Sequence, residues 1–235
     1  MVVEVAANDG YLLQYVKERG IPCYGIEPTK STADAARSIG IDIEEEFFGS
    51  RLADELVNKG RQADLTVANN VLAHVPDIND FVSGFTKILK KDGVATFENP
   101  HLLTLVAQKQ FDTVYHEHYS YLSVSSVIEI FKTNGLTLFD VKELSVHGGS
   151  LRYFAQRSDT GTRPISANVR KMQEKEDIAG MRKIDFYKGF QTKAEFIKAK
   201  FLLFLLDQKL KGKTVVAYGA AAKGNTMLNF CGVRS

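Results

Sequence analysis

The first 100 residues alternate between short apolar segments and amphipathic segments, and this rhythm constrains the fold more than any other feature. The pattern predicts strands at 2–6, 22–26, 41–43, 63–68 and 93–98, with helices at 11–19, 31–39, 51–58 and 78–89. Repeated strand–helix units of this length indicate a parallel sheet covered on both faces. Right-handed crossovers and a doubly wound strand order are then the default.

The rhythm changes after residue 100. Helices are expected at 101–108 and 124–133, and strands at 137–144 and 150–156. Only residues 145–149 separate these two strands, and so short a link allows antiparallel neighbours, whereas parallel strands need a long crossover. A parallel sheet with an antiparallel last strand is the arrangement of Rossmann-like methyltransferases, and we predict that α/β fold class. A dinucleotide dehydrogenase would continue with another strand–helix unit.

The remaining residues predict a helical segment followed by the start of a second α/β unit. Residues 158–164 form a turn-rich linker, and 165–210 have a helical pattern with breaks at Gly180 and Gly189. A strand is expected at 214–218, then a glycine-bearing turn at 219–225 and a helix start. Because the first strand follows Met1 directly, with no preceding helix, and the last unit is incomplete at Ser235, we expect a fragment of a longer protein.

Composition excludes few functions. The chain is 44% hydrophobic and 25% charged, with a net charge of +2, as in ordinary globular proteins. Its longest apolar run, 201–206, is too short to span a bilayer, and no signal peptide precedes the first strand, so we expect a cytoplasmic protein without a membrane partner. Cys23 and Cys231 are far apart and predict neither a zinc site nor a disulfide framework. Residues 161–213 contain 13 Lys and Arg against 6 Asp and Glu, either a solvated helix face or a field that attracts a phosphate-bearing substrate.

A cofactor cleft is expected where the segment EVAANDG, residues 4–10, joins the first strand to the first helix. Glu27 follows Gly10 by seventeen residues, at the end of the second strand, where a carboxylate can accept hydrogen bonds from the ribose hydroxyls of an adenosine. This spacing fits NAD and S-adenosyl-L-methionine equally. Two residues favour the methyl donor: Ala6 replaces the first glycine of G-x-G-x-x-G, and Asp9 would repel a pyrophosphate but can pair with a cationic ligand.

Asn69 and Asn70 end the fourth strand, at the edge where ligands collect in open α/β sheets, although turn chemistry also suits asparagine. Phe47 and Phe48, after the third strand, either cover an adenine ring or belong to the core. The predicted cofactor-binding residues are Glu4, Ala6, Asp9, Gly10, Glu27, Pro28, Phe48, Asn69 and Asn70.

All five histidines lie between residues 74 and 147, each in a short motif: His74, His101, His116, His118 and His147. Histidine exchanges protons near neutral pH. A single histidine is often only a satisfied polar residue at a strand end, but the group YHEHY at 115–119 indicates proton-transfer chemistry in one cleft.

The segments FENPHLLTLVAQKQFDTVYHEHYSYLS, VHGGSLR and VVAYGAAAKGNT, together with residues 47–85, resemble sugar C-methyltransferases. These enzymes methylate a carbon of a nucleotide-linked deoxy keto-sugar. Members have a zinc domain with four cysteines, a central methyltransferase domain and a C-terminal Rossmann-like domain. The resemblance covers nearly the whole chain and implies a methyltransferase domain at 1–157, a helical connection at 158–213 and a truncated C-terminal domain at 214–235.

The resemblance also implies roles for the motif residues. Removal of a proton beside a ketone needs a base, and the developing oxyanion needs a donor. His118 is the expected base, Glu117 and Tyr115 orient it or stabilise the enolate, and His74 donates to the substrate oxygen from the opposite wall. The expected substrate contacts are His116, Tyr119 and His147, with Lys223 meeting a phosphate.

Two questions stay open at this stage. His116 and His118 share a face only if their segment is extended, and with Glu117 they resemble a metal site, but the flanking tyrosines fit proton relay better, so no metal is expected. The predicted partner is a small molecule, a nucleotide-linked keto-sugar, and not nucleic acid. The alternatives are a truncated domain that binds cofactor without turnover and a small-molecule O-methyltransferase.

Overall fold

A seven-stranded mixed sheet organises the chain, and the structure, a computed structural model, describes residues 1–219 and 222–234. The spatial order is β3-β2-β1-β4-β5-β7-β6, and β7 alone runs antiparallel to its neighbours. The strands are β1 (Val2–Val5), β2 (Cys23–Ile26), β3 (Ile43–Glu44), β4 (Ala63–Asn69), β5 (Leu89–Pro100), β6 (Leu136–Leu144) and β7 (Ser150–Arg157). The predicted fold class is confirmed, with one refinement: the last strand in sequence lies between β5 and β6.

Helices cover both faces of the sheet and agree with the sequence pattern within one or two residues at almost every end. They are α1 (Tyr11–Glu18), α2 (Lys30–Ser38), α3 (Ser50–Asn58), α4 (Ile78–Ile88), α5 (Leu102–Ala107), α6 (Val124–Thr133), α7 (Ala167–Ala179), α8 (Phe190–Leu210) and α9 (Ala222–Cys231). Gly180 ends α7 and Gly189 precedes α8, both with φ near +79°. Glycine adopts this left-handed conformation without a steric penalty, which explains both breaks.

Two hydrophobic clusters hold the helices to the sheet. On one face the rings of Phe81, Phe85, Phe97 and Phe131 form a continuous series of contacts with centroids 4.7–5.2 Å apart. On the other face Leu13 of α1 is fully buried with small residues of α2. Burial of each large apolar side chain contributes about 1.5–3 kcal/mol, so these layers fix the sheet whose carboxyl edge carries the loops described below.

The strand order reverses between β1 and β4, and the loops that follow β1, β2, β4 and β5 meet at that edge. In open α/β sheets this point is the usual ligand cleft. The sequence motifs after Val5, Ile26, Asn69 and Pro100 are therefore neighbours in space although they are far apart in the chain.

The strand predicted at 214–218 is not formed. Its side chains are exposed, with Val216 at 87% and Tyr218 fully accessible. A strand needs a hydrogen-bonded neighbour, and none of the seven strands in the described residues runs beside this segment. The helix expected after it is present as α9, whereas residues 220 and 221 of the intervening turn lie outside the described residues. Within 1–219 and 222–234 no helix combines the length and apolarity needed to cross a membrane.

Candidate active site

The loop between β1 and α1 turns sharply because three of its residues are left-handed. Ala6, Asn8 and Gly10 have φ values of 60°, 54° and 79°. Glu27, at the end of β2, holds this loop: its carboxylate accepts hydrogen bonds from the backbone N–H of Asn8 at 3.1 Å and of Thr29 at 2.9 Å. Each carboxylate oxygen has a further lone pair, so Glu27 is still able to accept from a ligand hydroxyl.

Glu4, the other acidic residue of this region, is only 7% exposed on β1. Burial raises the pKa of its carboxyl to about 8, and the nearby charge of Asp9 adds to the effect. The carboxyl is thus protonated at neutral pH in the free protein. A cation bound beside it would favour the ionised form.

An apolar cavity of about 200 Å³ opens beside the loop after β1. Ala6 and Pro28 contribute to its lining, and Phe47 and Phe48 form another part. Phe48 also packs edge-to-face on Phe85 at 4.8 Å, so it serves both the core and the cavity, whereas Phe47 is 80% exposed. The other predicted cofactor residues do not line this cavity. Asp9 and Gly10 lie in the loop after β1, and Glu4 lies on β1 itself. Glu27 follows β2, and Asn69 and Asn70 lie at the end of β4.

A polar cavity of about 140 Å³ adjoins the apolar cavity, and His74 lines both. The imidazoles of His74 and His118 lie with ring centroids 4.7 Å apart. The structure therefore brings together residues from five separate segments of the chain. The lining includes Asn70, His74, Asn99, Tyr115, His118, His147 and Lys223.

The hydrogen bond of His118 fixes its tautomer. Its Nδ1 lies 2.8 Å from the carbonyl oxygen of Thr113, and because a carbonyl only accepts, Nδ1 is the nitrogen that carries the proton. Nε2 is then the basic nitrogen. The ring of Tyr115 lies against the same imidazole, with centroids 4.3 Å apart. Burial, and secondly the charge of His118, lower the pKa of His74, which keeps that imidazole neutral.

Three of the residues predicted for catalysis or substrate contact lie outside both cavities. His116, Glu117 and Tyr119 have exposed side chains. The segment is neither extended nor helical but a turn, closed by the N–H of His118 donating to the carbonyl of Tyr115 at 3.1 Å. The comparison of strand and helix faces thus does not apply, and Thr113, in place of Glu117, orients His118. Among the described residues no cluster of three or more His, Cys, Asp or Glu side chains could hold a metal.

Two asparagines next to the cleft have distinct positions. Asn70 is left-handed, with φ 53°, and its N–H donates to the carbonyl of Glu98 at 2.7 Å, so it combines turn chemistry with a place in the polar cavity. Asn69 precedes it on β4 with a buried amide oxygen that has no protein partner. His147 is also left-handed, with φ 54°, which places it at the tip of the loop between β6 and β7.

Two residues of this site were missed from the sequence. Asn99 is buried at the end of β5 and lines the polar cavity beside the histidines. The strand-end position of Asn99, next to Pro100, is a signal that could have identified it. Thr113 contributes through its backbone carbonyl, and because every residue has one, the amino-acid sequence gives no signal for this role.

Comparisons with known proteins agree with this architecture. A family model for a methyltransferase domain matches residues 1–141, and one for the C-methyltransferase C-terminal domain matches residues 145–235. The C-methyltransferase NovU of Streptomyces niveus is 32% identical over 235 residues, which cover 99% of this chain and 55% of NovU. A ubiquinone biosynthesis O-methyltransferase of Bartonella tribocorum is 23% identical over 99 residues, 40% of this chain and 38% of that protein. The chain thus spans about half the length, or less, of these curated relatives.

Solved structures with the same fold are more distant in sequence. A SAM-dependent methyltransferase from Archaeoglobus fulgidus superposes with a TM-score of 0.54 at 13% identity, over 66% of this chain and 85% of that one. An S-adenosylmethionine-dependent methyltransferase from Mesorhizobium loti gives 0.51 at 12% identity, over 66% and 90%. At such identities the likeness establishes the fold, a Rossmann-like methyltransferase sheet.

Proposed function

Since this chain belongs to the S-adenosylmethionine-dependent methyltransferase family, we propose that it forms the catalytic part of a C-methyltransferase whose substrate is a nucleotide-linked deoxy keto-sugar. One observation carries the proposal: the polar cavity with His118 and the apolar cavity beside the β1 loop share a wall at His74. A base in one cavity and a methyl donor in the other would thus be adjacent, as carbon methylation requires.

The apolar cavity and the loops around it would hold S-adenosylmethionine. Glu27 would accept hydrogen bonds from the ribose hydroxyls, and Phe47, Phe48 and Pro28 would cover the adenine. Glu4 and Asp9 would face the cationic end of the ligand, because a buried carboxyl with a raised pKa gains most from a neighbouring positive charge. When bound, S-adenosylmethionine supplies the electrophilic methyl group.

His118 removes the proton from the carbon next to the ketone. The electron pair of the C–H bond becomes the π-bond of the enolate, and the proton passes to Nε2 of His118. Nε2 carries no proton because Nδ1 holds it in the hydrogen bond to the Thr113 carbonyl. Bound S-adenosylmethionine would supply the methyl group to this enolate carbon, and the electrons of the broken carbon–sulfur bond would stay on sulfur. The neutral methylated ketone results, and the imidazolium returns its proton to solvent.

The other side chains of the polar cavity hold the substrate. His74, kept neutral by burial, donates to the ketone oxygen and to the enolate that forms there. Lys223 lies on α9 at the same cavity and pairs with a phosphate of the nucleotide, and His147 contacts the sugar from the β6–β7 loop. The excess of basic residues at 161–213 would assist capture of such an anion.

The first experiment separates the cofactor from the chemistry. Calorimetric titration with S-adenosylhomocysteine and NAD should show binding of the former alone. Exchange of the proton next to the ketone is then followed by NMR in deuterated water, with a nucleotide-linked deoxy keto-sugar. His118→Ala should reduce the exchange rate by about 10²–10⁴-fold, the usual contribution of a general base.

His116→Ala provides the matched comparison, because it removes an imidazole two residues away that is exposed and lines neither cavity. Exchange within a few-fold of the wild type is expected for this variant. Normal exchange in His118→Ala would reject the assignment of the base. Cofactor binding without exchange in the wild type would favour the binding-only alternative.

A further inference from the structure

Helix α9 lies far from the β1 loop in sequence, yet it contacts the region of the polar cavity at two points. Lys223 near its start contributes to the lining. Near its end, the ring of Phe230 packs on the buried ring of Phe111, with centroids 4.9 Å apart. Lys198 of α8 lies over the ring of Phe230, with its Nζ 5.1 Å from the ring centroid. The aromatic contact is therefore supported from α8 as well.

Phe111 begins the 3₁₀ turn that ends at Thr113, the residue whose carbonyl holds Nδ1 of His118. The turn is tied on its other side by Gln110, whose Nε2 donates to the carbonyl of Gly148 at 2.7 Å, next to His147. The direction of a backbone carbonyl is set by the backbone conformation and position of its turn, not by the side chain of the same residue. It therefore depends on the contacts that hold the whole turn in place. The Phe111–Phe230 contact is the one that α9 contributes to holding this turn.

We propose that α9 positions the base: by packing on Phe111, Phe230 sets the direction of the Thr113 carbonyl and with it the tautomer and ring orientation of His118. This role rests on His118 being the base of the proposed reaction. It gives residues 222–231 a function in proton transfer that is separate from the phosphate contact of Lys223. Phe230 touches neither cavity and is a positioning residue, not a catalytic one.

The test reads the tautomer directly. Long-range ¹H–¹⁵N correlation spectra of the full chain distinguish a protonated ring nitrogen from a bare one, and the signals of His118 are assigned by their loss in His118→Ala. The wild type should show Nδ1–H alone. Phe230→Ala should produce a mixture that includes Nε2–H, because the carbonyl no longer faces Nδ1.

The same variant is then measured for deuterium exchange of the keto-sugar. We expect its maximal rate to fall by about 10- to 100-fold, as misplacement of a reacting group by an ångström does, with the KM unchanged within twofold. Phe196→Ala is the matched control: it makes the same truncation on α8 at a ring that is 60% exposed. Phe230→Leu keeps an apolar side chain against Phe111 and should restore most of the rate and the Nδ1–H form.

The outcomes are separable. Phe230→Ala with the wild-type tautomer and rate, in a protein whose circular dichroism is unchanged, overturns the positioning role. If Phe230→Ala loses its fold, the partial truncation Phe230→Val decides, and a loss of the Nδ1–H form no greater than in Phe196→Ala overturns the role too. Absence of exchange in the wild type rejects the proposed function. The tautomer measurement then still decides whether the Phe111–Phe230 contact sets which nitrogen of His118 carries the proton.

Discussion

At the scale of single residues, two buried carboxyls of this chain have pKa values shifted in opposite directions. Glu4 has a polar neighbour of its own sign, Asp9, and one of its oxygens is buried without a protein partner. Glu176 accepts four hydrogen bonds. Burial penalises both charges, but hydrogen bonds outweigh this penalty for Glu176, whereas the charge of Asp9 adds to it for Glu4.

The raised pKa of Glu4 makes the free protein less stable as the pH rises. Between an unfolded pKa near 4.5 and the folded value of about 8, the folded state binds the extra proton, so the free energy of unfolding falls with pH through this window. Above pH 8 the loss is complete and on the order of a few kcal/mol. Glu4→Gln should therefore match the wild type more closely at pH 5 and be more stable than it at pH 8.5.

Urea denaturation at the two pH values checks this expectation. Glu18→Gln, at the exposed end of α1, is the control. The difference between its free energies of unfolding at the two pH values should equal that of the wild type. A Glu4→Gln variant with the same pH dependence as the wild type would show that this carboxyl is already ionised at pH 5.

At the scale of elements, Glu176 joins the helical connection to the sheet. It is 1% exposed on α7, and its carboxylate accepts from the N–H of Val124 at 2.6 Å and of Ser125 at 3.0 Å, at the N-terminus of α6. The Nε2 of His101, just after β5, lies 2.8 Å away and completes the junction. A carboxylate at this position satisfies helix N–H groups that have no partner within the helix.

The second pH prediction has the opposite sign. Burial raises the pKa of Glu176, but the hydrogen bonds from His101, Ser125 and Val124 outweigh it and hold the pKa below its usual value. Its contribution is thus present above pH 4.5 and lost as the pH falls through the lowered folded pKa. Glu176→Gln should cost about 3 kcal/mol at pH 7, as loss of one partner of a buried pair does, and clearly less at pH 3.5.

The control variant is Glu174→Gln, two residues earlier on the same helix and exposed. It should change the free energy of unfolding by less than about 0.5 kcal/mol at either pH, the usual range for surface substitutions. An equal cost for Glu176→Gln at both pH values would mean that its charge plays no part in the junction.

The junction also shows where sequence reasoning ends. The strand–helix rhythm predicted the sheet, and the histidine motifs predicted His74, His118 and His147, which the polar cavity brings together. A count of charges in residues 161–213 does not show which acidic residue is buried, so Glu176 could not be distinguished from its exposed neighbours. His101 belongs to the same histidine set but pairs with Glu176, as a satisfied polar residue at a strand end does.

The strand expected at 214–218 is wrong for a related reason, because β-propensity is local whereas pairing requires a neighbour that the pattern cannot supply. The Thr113 carbonyl was equally invisible, since every residue has one. What the sequence predicts well is therefore periodic burial and side-chain chemistry. What it predicts poorly is the contact made by a backbone group or by a residue whose environment differs from that of its neighbours.

At the scale of the whole molecule, burial is unevenly distributed, and stability should follow it. Helix α4 buries five residues against the sheet, whereas α8, with 21 residues, buries only Ala194. Regions with few buried apolar contacts open at low free energy, while core elements open only on global unfolding. Hydrogen exchange measured by mass spectrometry should therefore show α8 exchanging within minutes and α4 staying protected for hours.

Saturating S-adenosylhomocysteine sharpens this prediction. A ligand bound only by the folded state adds about 2.7 kcal/mol at 100 times its Kd, and this gain belongs to every element that opens together with the site. Protection of α4 and of the β1 loop should rise by about that amount, whereas α8, which opens by itself, should exchange at its former rate. Equal protection of α8 and α4 in the free protein, or an equal gain in both on binding, would show that the chain opens as one cooperative unit and that buried area does not set local stability here.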